Sequence, residues 1–288
     1  MTPDVRLATR ASPLAMAQAR AVANRILHVH GDSVHVALVE IDSTGDLDRL
    51  SPVAALAQIG AFVRAVQAAV LDGRADAAVH SLKDLPIASP GGLALIAFPE
   101  RADPRDVVVG SRLDALRHCA LVGTGSPRRA AQLRLLRPDL QTRELRGNLG
   151  TRLDKVKRGE VDAALLAAAG LQRLGRSEVI AEFLGVDVMV PAPGQGVLVV
   201  EARADGPAAE LLAAIDDPDL HLLAETERRL LAETGAGCRS ALGVLARRRD
   251  GVIRLDAFVE DERGPRRTAV TGEHADEVVA AARKELGW

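Results

Sequence analysis

The chain of 288 residues is long enough for about two domains, and apolar residues make up 48%, enough for well-packed cores. Aromatic residues make up only 2% and the net charge is −2, so we expect neither a base-stacking surface nor a general attraction to nucleic acid or membranes. Cys119 and Cys238 show no zinc-type spacing, so no metal site is expected, and isolated thiols fit a reducing cytoplasm. No signal-like start and no bilayer-length apolar run is found, which also predicts a cytoplasmic protein.

Strands and helices alternate in the first hundred residues. The predicted elements are strand 5–9, helix 12–26, strand 34–41, helix 61–71 and strand 75–79. Alternation of this kind predicts a mostly parallel sheet with helices on both faces.

The same order begins again after residue 119. The predicted elements are strand 120–123, helix 126–136, strand 141–145, helix 149–158 and strand 162–166. Ser12-Pro13 is echoed by Ser126-Pro127, and Gly73-Arg-Ala-Asp76 by Gly159-Glu-Val-Asp162. The spacing between the echoes differs, so they are weak evidence of duplication and better evidence of two similar α/β lobes.

The rest of the chain predicts a return to the first lobe and then a small α+β domain. The predicted elements are strand 197–201, helix 218–231, strands 241–245 and 252–259, and helix 275–286. The predicted domains are lobe 1 at 1–99 and 197–216, lobe 2 at 103–192, and the C-terminal domain at 219–288.

Arginines lie beside two predicted helix starts. Ser12-Pro13 and Ser126-Pro127 each place a capping hydroxyl before a proline at the first helical position, and plain capping would explain both. However, Arg10 precedes the first start and Arg128 and Arg129 lie in the first turn of the second. A cation at the positive end of a helix needs a neutralising anion, which favours an anion site.

Two further polar strings follow predicted strands. Arg146-Gly-Asn-Leu-Gly-Thr-Arg152 is either a solvated loop or part of the same anion site, because open α/β sheets bind ligands at the carboxyl ends of their strands. His80-Ser-Leu-Lys83-Asp84 is either a turn with an ion pair or a catalytic string. Cys238, beside Gly237, is either a small buried residue or a reactive thiol in an exposed turn, whereas Cys119 is expected in a core.

Together these strings resemble the porphobilinogen deaminase family over nearly the whole chain. The motifs are Ala-Thr-Arg-x-Ser-Pro-Leu-Ala at 8–15, His-Ser-x-Lys-Asp-x-Pro at 80–86, Asp-Pro-Arg-Asp at 103–106, Ser-Pro-Arg-Arg at 126–129, Leu-Arg-Gly-Asn-x-x-Thr-Arg-Leu at 145–153, Ala-Gly-Leu-x-Arg-Leu-Gly at 169–175, Pro-Ala-x-Gly-Gln-Gly at 191–196 and Gly-Cys at 237–238. The resemblance implies two periplasmic-binding-protein-like (type II) α/β lobes and a small α+β C-terminal domain.

The resemblance also implies an activity, that of a monomeric transferase. Such an enzyme (a hydroxymethylbilane synthase) condenses four porphobilinogen molecules into a linear tetrapyrrole for haem-type biosynthesis and releases ammonia. It carries a dipyrromethane cofactor, here attached through a thioether to Cys238, and needs no metal. Asp84 is then the catalytic carboxylate, with Lys83 beside it. The implied cofactor- and substrate-binding residues are Arg10, Ser12, Ser81, Thr124, Ser126, Arg128, Arg129, Arg146, Arg152, Arg173 and Gln195.

The chain departs from the family pattern at a few positions. The segment Gln58-Ile59-Gly60-Ala61 replaces a usual Gly-Lys-Gly, and Val66 and Gln67 stand near the place of a usual acidic residue. Gly125 replaces a serine, and Ala241 replaces a proline after the cysteine. A divergent paralogue with weak turnover and a two-lobed small-anion binding protein therefore remain as alternatives.

Overall fold

A computed structural model describes residues 4–41, 52–234 and 241–288. Cys238 lies outside the described residues, as do the side chains of Gln58 and Ile59. The chain divides into two compact units, Met1–Arg101 with Val197–His221 and Ala102–Gly196 with Leu222–Trp288.

The elements of the described chain are as follows. The strands are β1 Asp4–Arg10, β2 His35–Ile41, β3 Ala77–Ser81, β4 Ala94–Arg101, β5 Asp106–Val109, β6 Leu121–Gly123, β7 Gln141–Arg143, β8 Ala163–Ala167, β9 Ile180–Phe183, β10 Val197–Ala202, β11 Ala241–Arg249, β12 Val252–Asp261 and β13 Gly264–Gly272. The helices are α1 Pro13–His30, α2 Pro52–Leu71, α3 Pro127–Leu136, α4 Leu149–Lys157, α5 Ala168–Arg173, α6 Ala209–Ala213, α7 Pro218–Glu233 and α8 Ala275–Leu286.

The first unit is built on a five-stranded sheet in the order β2-β1-β3-β10-β4. β1 pairs in parallel with β2 and β3, whereas β10 is antiparallel to both β3 and β4. Successive β1 residues point to opposite faces, so Leu7 packs in one core with Ile26 of α1 while Ala8 packs in another with Val66 of α2. β10, which contains residues 197–201, thus lies in this sheet between β3 and β4.

The second unit contains a five-stranded sheet in the order β7-β6-β8-β5-β9. β6 is parallel to β7 and β8, and β5 is antiparallel to β8 and β9. Position for position, this is the arrangement of the first sheet, with one antiparallel strand inserted at the fourth place. The prediction of two similar α/β lobes is confirmed at the level of topology.

The second unit also contains an antiparallel sheet, β11-β12-β13. One face packs on α7 and α8, where Leu230, Leu255 and Val279 share a core. β11 also packs closely on the segment before β10, since a Cβ on Gly243 would lie 2.6 Å from the carbonyl oxygen of Val190. The mixed α/β fold class is confirmed, while the separation of 219–288 as its own domain stays a prediction.

Several features were missed or differ from the sequence predictions. The strands β4, β5, β9 and β13 were not predicted. Cys119 is exposed rather than in a core, and it has a positive φ of 59°, so that prediction is wrong. Among the described residues, no helix has the length and apolarity to span a membrane, and no group of three metal-ligating side chains occurs.

Candidate functional site

Two predicted site segments of the first unit follow neighbouring parallel strands. Arg10 and Ser12 come at the end of β1, and Ser81, Lys83 and Asp84 come at the end of β3. Because β1 and β3 are paired in parallel, both segments lie at the same edge of the sheet. This is the edge where open α/β sheets bind ligands.

Ser12 caps α1, as its sequence context predicted. Its hydroxyl accepts a 3.3 Å hydrogen bond from the Ala15 N–H. The guanidinium of Arg10 lies over the ring of Phe62, 3.7 Å from its centre, so a cation–π contact helps to orient this arginine at the sheet edge.

The segment after β3 is anchored by buried contacts at its start and is exposed at Asp84. Gln18 donates a 2.7 Å hydrogen bond to the Ser81 hydroxyl, which ties α1 to the end of β3. Leu82 is buried and begins a 3₁₀ turn that ends at Asp84, whose side chain is exposed. The turn therefore presents a carboxylate to solvent on a rigid base.

A buried polar cluster lies behind this segment and was not foreseen. Glu201 of β10 is 0% exposed and accepts hydrogen bonds of 2.9 and 3.2 Å from Gln67, and His80 Nε2 lies 3.4 Å from its Oε2. Burial alone raises the pKa of Glu201, but its polar contacts with His80, Ser89 and Gln67 outweigh it and lower the pKa. Glu201 is thus held as a carboxylate directly behind the exposed turn.

The second unit gathers three more predicted segments at one sheet edge. Thr124 and Ser126 follow β6, the 146–152 segment follows β7, and Arg173 ends the helix that follows β8. β6 is parallel to both β7 and β8, so all three segments leave the sheet at its carboxyl edge. A role of these three segments in one ligand site stays a prediction.

Arg128 and Arg129 are both buried at the start of α3, where they hold a carboxylate of the protein itself. Arg128 Nη1 donates to Asp106 Oδ2 at 2.6 Å and to the Val190 carbonyl at 2.7 Å. Arg129 Nε donates to Asp106 Oδ1 at 2.9 Å. The anion that the helix start was predicted to require is therefore Asp106, so a role of these two arginines in binding a ligand stays a prediction.

Gln195 completes this buried network. Its amide nitrogen donates to Asp106 Oδ1 at 2.9 Å and to the Pro104 carbonyl at 2.7 Å. Burial alone raises the pKa of Asp106, but the charges of Arg128 and Arg129 and the hydrogen bonds hold it well below the ordinary value. Gln195 thus supports the two arginines indirectly, through Asp106. The motif that contains Gln195 did not reveal that its side chain is buried in this network.

The other predicted arginines of this unit are only partly buried. Arg146 donates to both carboxylate oxygens of Glu144, at 2.8 and 3.0 Å. Arg152 Nε donates to the Gly147 carbonyl at 2.9 Å, and Arg173 Nη2 donates to the Gly196 carbonyl at 2.8 Å. These bonds orient the guanidinium groups, which are planar donors suited to ligand carboxylates.

Comparison with known proteins identifies the family. A family model described as "Porphobilinogen deaminase, dipyromethane cofactor binding domain" matches residues 5–210. The chain belongs to the porphobilinogen deaminase family. Porphobilinogen deaminase from Acidothermus cellulolyticus is 49% identical over 268 residues, covering 90% of this chain and 80% of the relative. The Sphingopyxis alaskensis porphobilinogen deaminase is 46% identical over 276 residues, covering 91% of this chain and 87% of the relative.

Two solved structures also match most of the chain at low sequence identity. The methionine-binding protein MetQ matches 78% of this chain and 94% of its own, at 11% identity and a TM-score of 0.45. The Escherichia coli aliphatic sulphonate binding protein SsuA matches 81% of this chain and 70% of its own, at 16% identity and a TM-score of 0.41.

The donor groups of the second unit fit the cofactor of the porphobilinogen deaminase family. A dipyrromethane bears acetate and propionate groups, and bidentate guanidinium pairing suits carboxylates better than lysine does. Arg146, Arg152 and Arg173 provide partly exposed guanidinium groups at one sheet edge. Cys238, the predicted attachment residue, lies outside the described residues.

Proposed function

We propose that the chain is a hydroxymethylbilane synthase. It joins four porphobilinogen molecules into the linear tetrapyrrole hydroxymethylbilane and releases ammonia, as a cytoplasmic, monomeric transferase. The observation that carries the proposal is the exposed Asp84 carboxylate on a turn that buried Leu82 anchors at the carboxyl edge of β3, within the His-Ser-x-Lys-Asp-x-Pro motif. The family match over residues 5–210 supports it.

Asp84 is assigned the proton transfers. Its carboxylate oxygens accept the proton that leaves the new ring junction, and the ionised carboxylate stabilises positive charge on a pyrrole nitrogen. Lys83 precedes it in the same 3₁₀ turn and contributes a positive charge beside the acid. Arg10, Ser12 and Ser81 at the same sheet edge are assigned to substrate binding.

The second unit is assigned the binding of the carboxylates of the pyrrole chain and of the porphobilinogen that is joined to it. Arg146, Arg152 and Arg173 bind them with Thr124 and Ser126, while Arg128, Arg129 and Gln195 form the buried base of this region. When bound, the dipyrromethane supplies the pyrrole ring to which the first substrate is joined. Its carboxylates match the positive charge of this edge.

Cys238 is assigned as the attachment residue. Cys238 would hold the cofactor through a thioether: the C–N bond of a porphobilinogen aminomethyl group would break, its carbon would bond to Sγ, and the thiol proton would leave with the amine as ammonia. A reactive thiol is what such an alkylation needs.

The intact mass of protein purified from cells that make porphobilinogen tests the proposal. The wild type should exceed its sequence mass by one dipyrromethane, and Cys238→Ala should lack the excess. Cys119→Ala is the matched control and should keep it. An unmodified wild type with full turnover would refute the attachment, and protein that neither carries the adduct nor consumes porphobilinogen would support a small-anion binding protein instead.

A further inference from the structure

A carboxylate on α7 ties together two separate segments of the second unit. Glu227 is 0% exposed, its Oε2 accepts a 2.6 Å hydrogen bond from the Gly194 N–H, and its Oε1 accepts a 2.8 Å bond from the Ala246 N–H. Each oxygen thus holds the main chain of a different segment. Charged acceptors form the shorter and stronger hydrogen bonds.

The Gly194 side of this tie leads to the buried arginines. Gln195 is the next residue, and its side-chain amide donates to Asp106 Oδ1 at 2.9 Å. Asp106 in turn holds Arg128 and Arg129 at the start of α3. A displacement of the 194–195 main chain would therefore move the partner of Asp106.

The Ala246 side leads to the strand that follows the proposed attachment residue. Ala246 lies in β11, which begins at Ala241, three residues after Cys238. β11 also contacts the 190–191 segment, because Gly243 leaves no room for a side chain beside the Val190 carbonyl. The same stretch of main chain before β10 is thus held from both α7 and β11.

Burial of a carboxylate costs free energy, because the charge loses its hydration. A protein with apolar residues of similar size in place of a buried charge is often as stable, so a buried charge is weak evidence for a gain in stability. The other use that a buried charge can have is to specify one geometry. Here both oxygens meet main-chain donors of segments far apart in the sequence. The arrangement fixes the distance between these segments rather than only filling a core.

We propose that Glu227 is a positioning residue of the reaction. It sets β11, the strand that follows the proposed attachment residue in the chain, against the Gly194-Gln195 turn that supports Asp106 and its arginines. The inference rests on the proposed function, since it assigns Glu227 a part in that reaction. Glu227 acts only through other residues.

Glu227→Gln tests the inference with little change of shape. The amide keeps one acceptor oxygen but turns an NH₂ group toward the other N–H donor, so one of the two ties is lost. The control is Glu225→Gln, on the same helix but half exposed and paired with Arg228 at 3.5 Å. For each protein, the fraction with the dipyrromethane mass is measured, and turnover of porphobilinogen is divided by that fraction.

The expected result is a fall of about tenfold or more in turnover per adduct-bearing molecule for Glu227→Gln, with Glu225→Gln close to wild type. A purely structural role would lower the yield of folded protein but leave turnover per adduct-bearing molecule unchanged, and that result would overturn the inference. If Glu227→Gln does not fold or holds no adduct, Glu227→Asp is measured in the same way, because it keeps the charge but shortens the reach.

The remaining outcomes are also decisive. Wild-type turnover in Glu227→Asp, or failure of both variants to fold, would assign Glu227 to folding alone and overturn the inference. A wild type with neither adduct nor turnover would overturn the proposed function as well. An active wild type beside an equally active Glu227→Gln would overturn the inference alone.

Discussion

The carboxylate of Asp106, at the start of β5, accepts a 2.6 Å hydrogen bond from Arg128 Nη1, and the two side chains are 0% and 4% exposed. Arg129 holds the other carboxylate oxygen at 2.8 Å through Nη2. One buried anion therefore joins the sheet of the second unit to the first turn of α3. Because two arginines share one aspartate, these three side chains together carry a net charge of +1.

Asp106→Asn should destabilise the protein strongly. Removal of one partner of a buried ion pair leaves the other charge without compensation, at a cost of about 3–5 kcal/mol in the free energy of unfolding. Denaturant unfolding measures the difference from wild type. Asp114→Asn is the control, since Asp114 is exposed and its pairing with Arg112 is open to solvent, so little change is expected. Equal stabilities of the two variants would contradict the role given to Asp106.

The contribution of Asp106 should also depend on pH in a defined direction. Its pKa is lower in the folded protein, so the stabilisation is complete above the ordinary aspartate pKa of about 3.9 and is lost as pH falls through the folded value. The stability difference between wild type and Asp106→Asn should be constant from about pH 8 to pH 5 and should narrow below about pH 4. Urea unfolding across this range measures it, and narrowing already between pH 8 and pH 5 would contradict the assignment.

The sequence predicted the alternation of elements well but missed the strand that carries this anion. β5 has four residues, Asp106–Val109, and begins with a charged side chain after a proline-containing turn, which is typical of a loop. Its burial depends on Arg128, 22 residues away, and sequence spacing cannot show that contact. The sequence correctly indicated that the start of α3 requires an anion. It did not show that the chain itself supplies this anion.

The same limit applies to β13 and to the cluster behind Asp84. Alternate residues of β13 are exposed between Gly264 and Arg267, and the glycine, proline and arginines of this stretch are typical of a loop. Only its pairing with β12 identifies it as a strand. Glu201 was predicted only as the end of a strand. Its contacts with Gln67 and His80 need α2 and β3 to meet on one face of the sheet, which no local pattern specifies.

Asp84→Asn should abolish most turnover without loss of the adduct. The amide cannot accept the proton at the ring junction, and loss of a general acid–base group costs about 100-fold or more in rate. Steady-state consumption of porphobilinogen and intact mass measure the two quantities. Asp72→Asn, another exposed aspartate of the same unit, should leave both unchanged. Turnover within a few-fold of wild type in Asp84→Asn would remove Asp84 from the mechanism.

Arg152→Leu should weaken the binding of porphobilinogen and have a smaller effect on the free energy of unfolding. Arg152 is partly exposed at the carboxyl edge of the second sheet, and loss of one charge-assisted hydrogen bond of about 1.5–3 kcal/mol should raise KM for porphobilinogen about tenfold or more. Arg158→Leu is the control, because Arg158 follows the same helix and pairs with exposed Glu160. A shared effect on KM would mean that the two substitutions act only through net charge.

Thiol titration should separate the two cysteines. Cys119 is exposed, with its sulfur 3.0 Å from His118 Nδ1, so it should react with Ellman's reagent in the native protein. If Cys238 carries the thioether, the adduct-bearing protein should show one reactive thiol both before and after denaturation in guanidinium chloride, and Cys119→Ser should show none. A second thiol that appears on denaturation of protein with the full adduct mass would place the attachment at another residue, because a thioether does not exchange with a disulfide reagent.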